Sequence, residues 1–299
     1  MKSSPAISVV MPVYNYEQFI TDSIDSILSQ TMSDFELIVV NDGSSDNSGK
    51  IAHSCPDKRV KVIDFPENRG CYPAQNVGMR AAKGKYICVM GADDLSFPNR
   101  LETQYRFLEE NTEFGLIGGA YNIMNSYRYN FRETDYELIK LLLLQHCYIV
   151  HGTCMIRTSL VRKHGLFYNE AYKYASDHDW LVRASSLFPV SNINVPLLSI
   201  RKHAQQISIS KQHEQSFFGD QIRVSQLSFF GIEPVESEKI LHLSFIKGLV
   251  DERMDENMID QWIERLSAAN RKIGYYSQQK LQNYLQAHRY LYIHQNKKK

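Results

Sequence analysis

FELIVVNDGSSD, residues 35–46, is the stretch on which the fold turns. A mostly apolar run rich in β-branched residues passes without warning into six polar residues that favour turns and helix caps. A run apolar on both faces suits a strand covered on both sides in a parallel sheet, and its polar ending puts loop chemistry at the carboxyl end. Residues 7–14 (ISVVMPVY) upstream, and 60–65 and 86–90 (YICVM) downstream, read as strands of the same kind. Between them, residues 17–30 carry Phe19, Ile20, Ile24, Ile27 and Leu28 at helical spacing, and 74–83 reads as a short helix ending near Gly84. Pro98 sits where a further helix begins, with Leu101, Tyr105 and Leu108 on one face. Strand–helix units in succession predict an α/β fold with a doubly wound, mainly parallel sheet.

From about residue 115 the rhythm changes. Residues 115–121, 149–157 and 195–200 read as strands, 122–134 as a loop, and 136–147, 159–164 and 177–187 as helices. Beyond about 210 strand signals vanish, and apolar residues recur at helical spacing through 217–230, 240–250, 258–266 and 281–293. The expected organisation is therefore an α/β domain over 1–210 and a helical C-terminal extension over 211–299, which ends in Lys297, Lys298 and Lys299.

Composition narrows the function classes. A formal net charge of +1 creates no field for gathering nucleic acid, so no nucleic-acid partner is expected. The five cysteines form no C-x-x-C pair and none has zinc-ligand spacing, as expected of free thiols in a reducing compartment. Residues 1–6 lead straight into a strand, so no signal peptide is expected, and no apolar run approaches the roughly 18 residues of a membrane span. The expected location is cytoplasmic, with peripheral contact at the inner face of the membrane left open.

In an open parallel sheet, ligands bind outside the carboxyl ends of the strands. Here those ends read Pro12-Val13-Tyr14-Asn15, Asn41-Asp42-Gly43-Ser44 and Gly91-Ala92-Asp93-Asp94. Turn and cap roles account for Asp42 and Asp46 about as well as ligand binding does. Adjacent carboxylates such as Asp93 and Asp94 repel each other, however, and a cap needs only one. A divalent cation removes that repulsion, and Mg²⁺ or Mn²⁺ prefers oxygen ligands shared with phosphates. Neither a Walker-type phosphate loop nor a G-x-G-x-x-G turn is present.

Taken together, VVMPVYN (9–15), ELIVVNDGSSDNS (36–48), the stretch from Glu67 to Leu101 and ASDHDWLVR (175–183) resemble glycosyltransferase family 2, whose members are inverting enzymes of the GT-A fold. The similarity runs over about residues 7–203. It implies a donor half over about 1–115, an acceptor half over about 116–210, and a nucleotide-sugar donor, with UDP preferred. Pro12, Tyr14 and Asn15 match the motif bordering the donor nucleoside, and Asp42 the carboxylate that accepts from uracil N3–H. Asn68, Gly70 and Asn76 fall in the segment lining the donor pocket, and Ala92 and Asp94 flank Asp93 on the loop facing it. Asp93 matches the last carboxylate of the D-x-D metal motif, and His203 a late histidine near the diphosphate or metal. Asp177 matches the catalytic base, with Asp179 as its competitor. The acceptor so implied is a glycan or lipid-linked glycan.

Two positions depart from the family pattern. Gly91 stands where the first D-x-D carboxylate is usual, and Gln75 where an arginine is common. With Gly91 as a lesion, the rival reading is a nucleotide-sugar-binding protein without catalysis. A nucleotidyltransferase and a scaffold role for the helical tail are further rivals. The tail itself is compatible with packing on the catalytic domain, homodimer formation or rest on an anionic membrane.

Overall fold

The structure is a computed structural model that describes residues 4–249, 251 and 254–296, apart from the side chains of residues 208, 295 and 296. The tail lysines at 297–299 lie outside the described residues.

In chain order the elements are β1 (Ile7–Val13), α1 (Ile20–Leu28), β2 (Phe35–Asn41), α2 (Ser48–Ser54), β3 (Val60–Asp64), α3 (Cys71–Ala81), β4 (Tyr86–Val89), β5 (Leu95–Ser96), α4 (Arg100–Glu110), β6 (Leu116–Ile123), β7 (Tyr129–Asn130) and α5 (Tyr136–Leu142). A 3₁₀ turn over His151–Thr153 leads into β8 (Met155–Arg157), α6 (Thr158–His164), α7 (Ser176–Leu187), β9 (Val190–Ile200) and α8 (Ile207–Ser210). The remainder is helical: α9 (Gln212–Ser225), a 3₁₀ segment over Gln226–Phe230, α10 (Glu236–Lys247), α11 (Glu256–Ile273) and α12 (Gln278–Asn296).

Among the described residues the strands form one sheet in the order β3-β2-β1-β4-β8-β6-β9-β5, with β7 pairing β6. The long ladders, β1 with β2, β2 with β3, β1 with β4 and β6 with β9, are parallel. The antiparallel pairings, all involving β5, β7 or β8, are short. The sheet is thus mainly parallel, with helices after its strands, as the alternation of patterns predicts. Every residue of β2 is buried, as its mostly apolar run requires, and its buried Glu36 accepts from Ser8 Oγ at 2.6 Å. Val9, Met11, Leu37, Val39 and Cys88 join Ile24, Ile27 and Leu101 in one apolar cluster.

Several boundaries differ from the sequence expectation, each for a local reason. The helix expected over 17–30 is shorter, because the main chain before it is held by the next loop: Tyr16 N–H donates to Ser48 Oγ at 2.8 Å and Glu17 N–H to Asp46 at 3.0 Å. α3 starts at Cys71, three residues before the expected 74, since Pro73 is tolerated in a first turn where its missing N–H would be unpaired anyway. The strand expected over 149–157 survives only as β8, because the Thr153 hydroxyl and N–H both donate to Val150 O, at 2.7 and 2.8 Å, and coil the chain. β9 begins at Val190, ahead of the expected 195. Its polar Ser191 and Asn192 donate to Thr134 O and Glu133 O, which makes their burial affordable. Pro196, which has no N–H, falls where the β6–β9 register shifts.

Two compact units emerge: the chain up to Thr134 with Ile149–Gln212, and Asp135–Tyr148 with the chain from His213 onward. The α5 segment, counted with the α/β domain on sequence grounds, groups with the C-terminal helices. Leu141 and Leu144 belong to an apolar cluster with Leu227, Phe245, Trp262 and Leu285. No helix among the described residues is long and apolar enough to cross a membrane.

Candidate active site

The parallel strands of the α/β unit deliver their polar ends to one edge, where neighbouring loops tie each other down. Gly43 adopts φ +66°, and a Cβ there would come within 2.4 Å of the Glu67 main chain. This close approach brings residues 68–70 over Asp42. The Asp42 carboxylate accepts from Arg69 N–H and Gly70 N–H, both at 2.8 Å, and from Asn68 Nδ2 at 3.0 Å. Burial drives its pKa upward, against the pull of those amides, and the net direction is up. A carboxylate oxygen can take two donors. Oδ1 carries one, so it retains capacity for a ligand N–H.

The loop after β1 is latched to the loop after β2. Asn15, at φ 55°, accepts on its side-chain oxygen from Ser45 N–H at 2.8 Å, and its own N–H donates to Ser44 Oγ at 3.1 Å. Asp46 accepts from Ser48 N–H at 2.9 Å and from Glu17 N–H at 3.0 Å, a local role beside α2, whose N-cap is Asn47 and not Asp46. A cavity of about 430 Å³ opens here, lined by Pro12, Tyr14, Asn15, Asp42, Asn68 and Gly70 of the expected set. Cys71, Tyr174, Gln205, Ile207, Ser210 and Lys211 complete the wall together with Val13 and Tyr16.

Asp93 and His203 meet across a separation of 110 residues, with Asp93 Oδ2 3.0 Å from His203 Nε2 and both side chains largely buried. His203 is itself packed by the Phe19 and Tyr16 rings, at 4.7 and 5.4 Å between centroids. Arg201 stitches this corner together. Its N–H donates to Asp94 Oδ1 and its Nε to Asp93 O, both at 3.0 Å, and its Nη2 reaches Asp22. Asp94 is pushed up to about 7 by burial and then by the charge of Asp93. Neither carboxylate caps α4, which begins six residues later. At Gly91 a Cβ would lie 2.8 Å from Asp93 Oδ1, so the glycine that departs from the family pattern leaves room for the Asp93 carboxylate to turn back.

Asp177 stands in the first turn of α7 and accepts from the Tyr72 hydroxyl at 3.0 Å. Its competitor Asp179 is engaged by Arg183, whose Nε donates at 2.8 Å. Trp180 is a core residue, fully buried, with Nε1 donating to Leu166 O at 3.0 Å. The partly buried His151 ring shares a 2.6 Å hydrogen bond with the Tyr168 hydroxyl, and that burial lowers its pKa.

Two expected contacts take other roles. Asn76, expected in the donor pocket, is 1% exposed and spends its amide on the 168–170 segment: Nδ2 donates to Tyr168 O and Glu170, and Oδ1 accepts from Tyr168 N–H. The Ala92 side chain is buried in the apolar cluster beneath the sheet edge, which leaves only its backbone to meet a ligand. Gln75 is fully buried, and neither end of its amide has a hydrogen-bond partner among the described residues.

Asp93, His203 and Asp177 do not line the cavity, but Cys71, which does, feels the charges of Asp177 and Asp93. This thiol sits in the cavity wall and is pushed up to about 12 by burial and by Asp177, Asp42 and Asp93, in that order. Arg201, Tyr72 and Lys211 were not anticipated from the sequence. Arg201 lies two residues from His203 and Tyr72 two from Gly70, so both could have been marked by that proximity; Lys211 carried no local signal.

Comparison with known proteins bears on this edge. The model described as "Glycosyl transferase family 2" matches residues 8–165. An uncharacterized glycosyltransferase of Haemophilus influenzae is 31% identical over 249 residues, covering 77% of this chain and 76% of its own. Among solved structures, S. aureus TarS 1-349 in complex with UDP-GlcNAc superposes with a TM-score of 0.66 at 16% identity, over 98% of this chain and 92% of that one. The mannosyltransferase PcManGT from Pyrobaculum calidifontis, in complex with GDP-Man and Mn²⁺, gives 0.61 at 16% identity, over 98% and 88%. The two solved structures speak for the GT-A-like fold, while the family match and the H. influenzae relative carry the assignment: this chain belongs to glycosyltransferase family 2.

Proposed function

We propose that this protein moves a sugar from a nucleoside diphosphate, uridine in preference, to a hydroxyl of a glycan or lipid-linked glycan, with inversion at the anomeric carbon. Its place is then in polysaccharide or glycoconjugate synthesis. The reading is carried by one observation: the edge cavity holds Asp42 in its wall, and the segment that binds Asp42 through Arg69 and Gly70 continues past the cavity-lining Cys71 to Tyr72, which binds Asp177. The ligands of the two fold neighbours, UDP-GlcNAc and GDP-Man, support the donor class.

In this reading Pro12, Tyr14 and Asn15 border the nucleoside, and Asp42 Oδ1 accepts from the base N–H. Asp177 takes the acceptor proton as the acceptor oxygen bonds to the anomeric carbon and the bond to the diphosphate oxygen breaks. A positioned base of this kind contributes about 10²–10⁴-fold. Attack from the face opposite the leaving group inverts the centre, and no covalent sugar–enzyme species is needed.

Asp93 and His203 fit a hard divalent cation, Mn²⁺ or Mg²⁺. One carboxylate oxygen and one imidazole nitrogen, 3.0 Å apart, leave positions suited to phosphate oxygens and water. Among the described residues no group of three or more His, Cys, Asp or Glu side chains could hold an ion by itself, so the diphosphate has to complete the set. Such a cation, when bound, offsets the charge growing on the leaving diphosphate.

The test is a panel of UDP-, dTDP- and GDP-sugars with Mn²⁺ or Mg²⁺, read by thermal shift and by release of nucleoside diphosphate. Stabilisation by UDP-sugars that strengthens with the cation is the expected result. Stabilisation by GDP-sugars alone would overturn the uridine preference, and donor binding without nucleotide release under any acceptor would favour the catalytically silent reading.

A further inference from the structure

The first turn of α3 bridges the two carboxylates to which the proposed reaction gives different jobs. Asn68, Arg69 and Gly70 are bound to Asp42, and two residues on, the Tyr72 hydroxyl is bound to Asp177 Oδ1 at 3.0 Å. Five consecutive residues therefore span the distance from the nucleoside-side carboxylate to the proposed base. Tyr72 has little freedom to do anything else. It is 8% exposed, and its ring stacks on Tyr168 at 5.3 Å and 24°. Tyr168 stacks in turn on Trp180 at 5.0 Å and 25°, is held through its main chain by Asn76, and bonds His151 through its hydroxyl.

We propose that Tyr72 is a positioning residue for Asp177: it occupies Oδ1, fixes the carboxylate plane and leaves Oδ2 turned toward the acceptor hydroxyl. Oδ2 has no protein hydrogen-bond partner among the described residues. The phenol stays protonated, since burial and then the neighbouring Asp177 hold its pKa well above the ordinary tyrosine value. It therefore acts as a fixed donor and does not compete for the acceptor's proton. A carboxylate with one oxygen pinned holds its plane fixed and offers its other oxygen to the incoming O–H, which is the orientation that general-base catalysis needs.

This inference rests on Asp177 being the base, and the experiment separates the two. Tyr72→Phe keeps the ring and its stack but removes the hydroxyl. Its kcat is expected to fall about 10-fold or more, with donor Kd and melting temperature unchanged. Asp177→Asn is expected to retain donor binding and lose transfer by at least about 10²-fold. In that background Tyr72→Phe should have no further effect, since the carboxylate it orients is gone. Normal turnover by Asp177→Asn would sink the base assignment itself. An inactive Asp177→Asn alongside a Tyr72→Phe variant of unchanged kcat would sink only the positioning role. A Tyr72→Phe variant that loses melting temperature and donor affinity in step with kcat would show a packing residue and overturn the proposal equally.

Discussion

Asp93 holds a carboxylate beside Asp94, beneath Arg201 and against His203, and its environment explains why it is not simply another acidic surface residue. Arg201 supplies its main chain and guanidinium to the Asp94 carboxylate and the Asp93 carbonyl, so the Asp93 carboxylate itself is left to His203. Removing it should cost the cation-dependent part of donor affinity and leave the cation-independent part alone. For Asp93→Ala, UDP titrated calorimetrically is expected to show a Kd that no longer responds to Mn²⁺, a loss of about 10-fold or more by analogy with other metal-site deletions. An undiminished response to Mn²⁺ would take Asp93 out of the metal role. Gly91 reads differently in this light. An Asp at 91 would crowd the Asp93 oxygen as that carboxylate now lies, so restoring the usual family residue is not a simple gain of a ligand.

At the scale of elements, the site depends on loops held by main-chain geometry. Gly43 ends β2 with φ +66° and faces the Glu67 backbone so closely that any side chain must push residues 67–70 away from Asp42. Gly43→Ala combines an unfavourable backbone region with a clash, at a cost of about 1–3 kcal/mol. The expected outcome is a melting temperature lower by several degrees together with weaker UDP binding. A variant with wild-type melting and affinity would show that the loop is not built this way. In the helical unit, α10 buries His242 completely, and burial lowers its pKa from 6.5 to about 4. The unfolded chain takes up a proton below about pH 6.5 while the folded chain resists until about pH 4. His242 thus contributes stability above pH 6.5 that is lost as pH falls toward 4, amounting to about 3 kcal/mol at most. His242→Leu should flatten the dependence of melting temperature on pH across that window. An unchanged slope would mean that the acid sensitivity lies elsewhere.

On the scale of the whole molecule, the two compact units are not consecutive in sequence. The segment Asp135–Tyr148, which includes α5, is inserted between β7 and β8 yet places Leu141 and Leu144 in the same apolar cluster as residues from α10, α11 and α12. Cutting the chain after Gln212 therefore strips partners from buried leucines that each gain roughly 1.5–3 kcal/mol from burial. The fragment 1–212 is expected to aggregate or bind a hydrophobic dye, where replacing 135–148 by a polar linker in the same fragment should restore solubility. A soluble, dye-silent 1–212 fragment would mean that α5 is self-sufficient. Such an insertion is hard to see in a sequence, because a periodic apolar helix looks the same whichever unit covers it.

What the sequence determined unaided is what depends on neighbouring residues. Apolar runs without alternation announce buried parallel strands, and polar strand ends place Pro12, Asp42 and Asp93 at one edge, since parallel strands all finish on the same side. The spacing of motifs along the chain was enough to expose the family. Tertiary structure alone decided which distant groups meet. The resemblance already implied that Asp93 and His203 share a site, and they meet across 110 residues; the contact of Tyr72 with Asp177 across 105 residues is set by how loops close and not by any local period. It also turned Asn76 from an expected ligand contact into a clamp on residues 168–170, and gave α5 to the helical unit. Local propensity is written in adjacent side chains, whereas an amide or a hydroxyl takes its meaning from whichever partner packing brings within 3 Å.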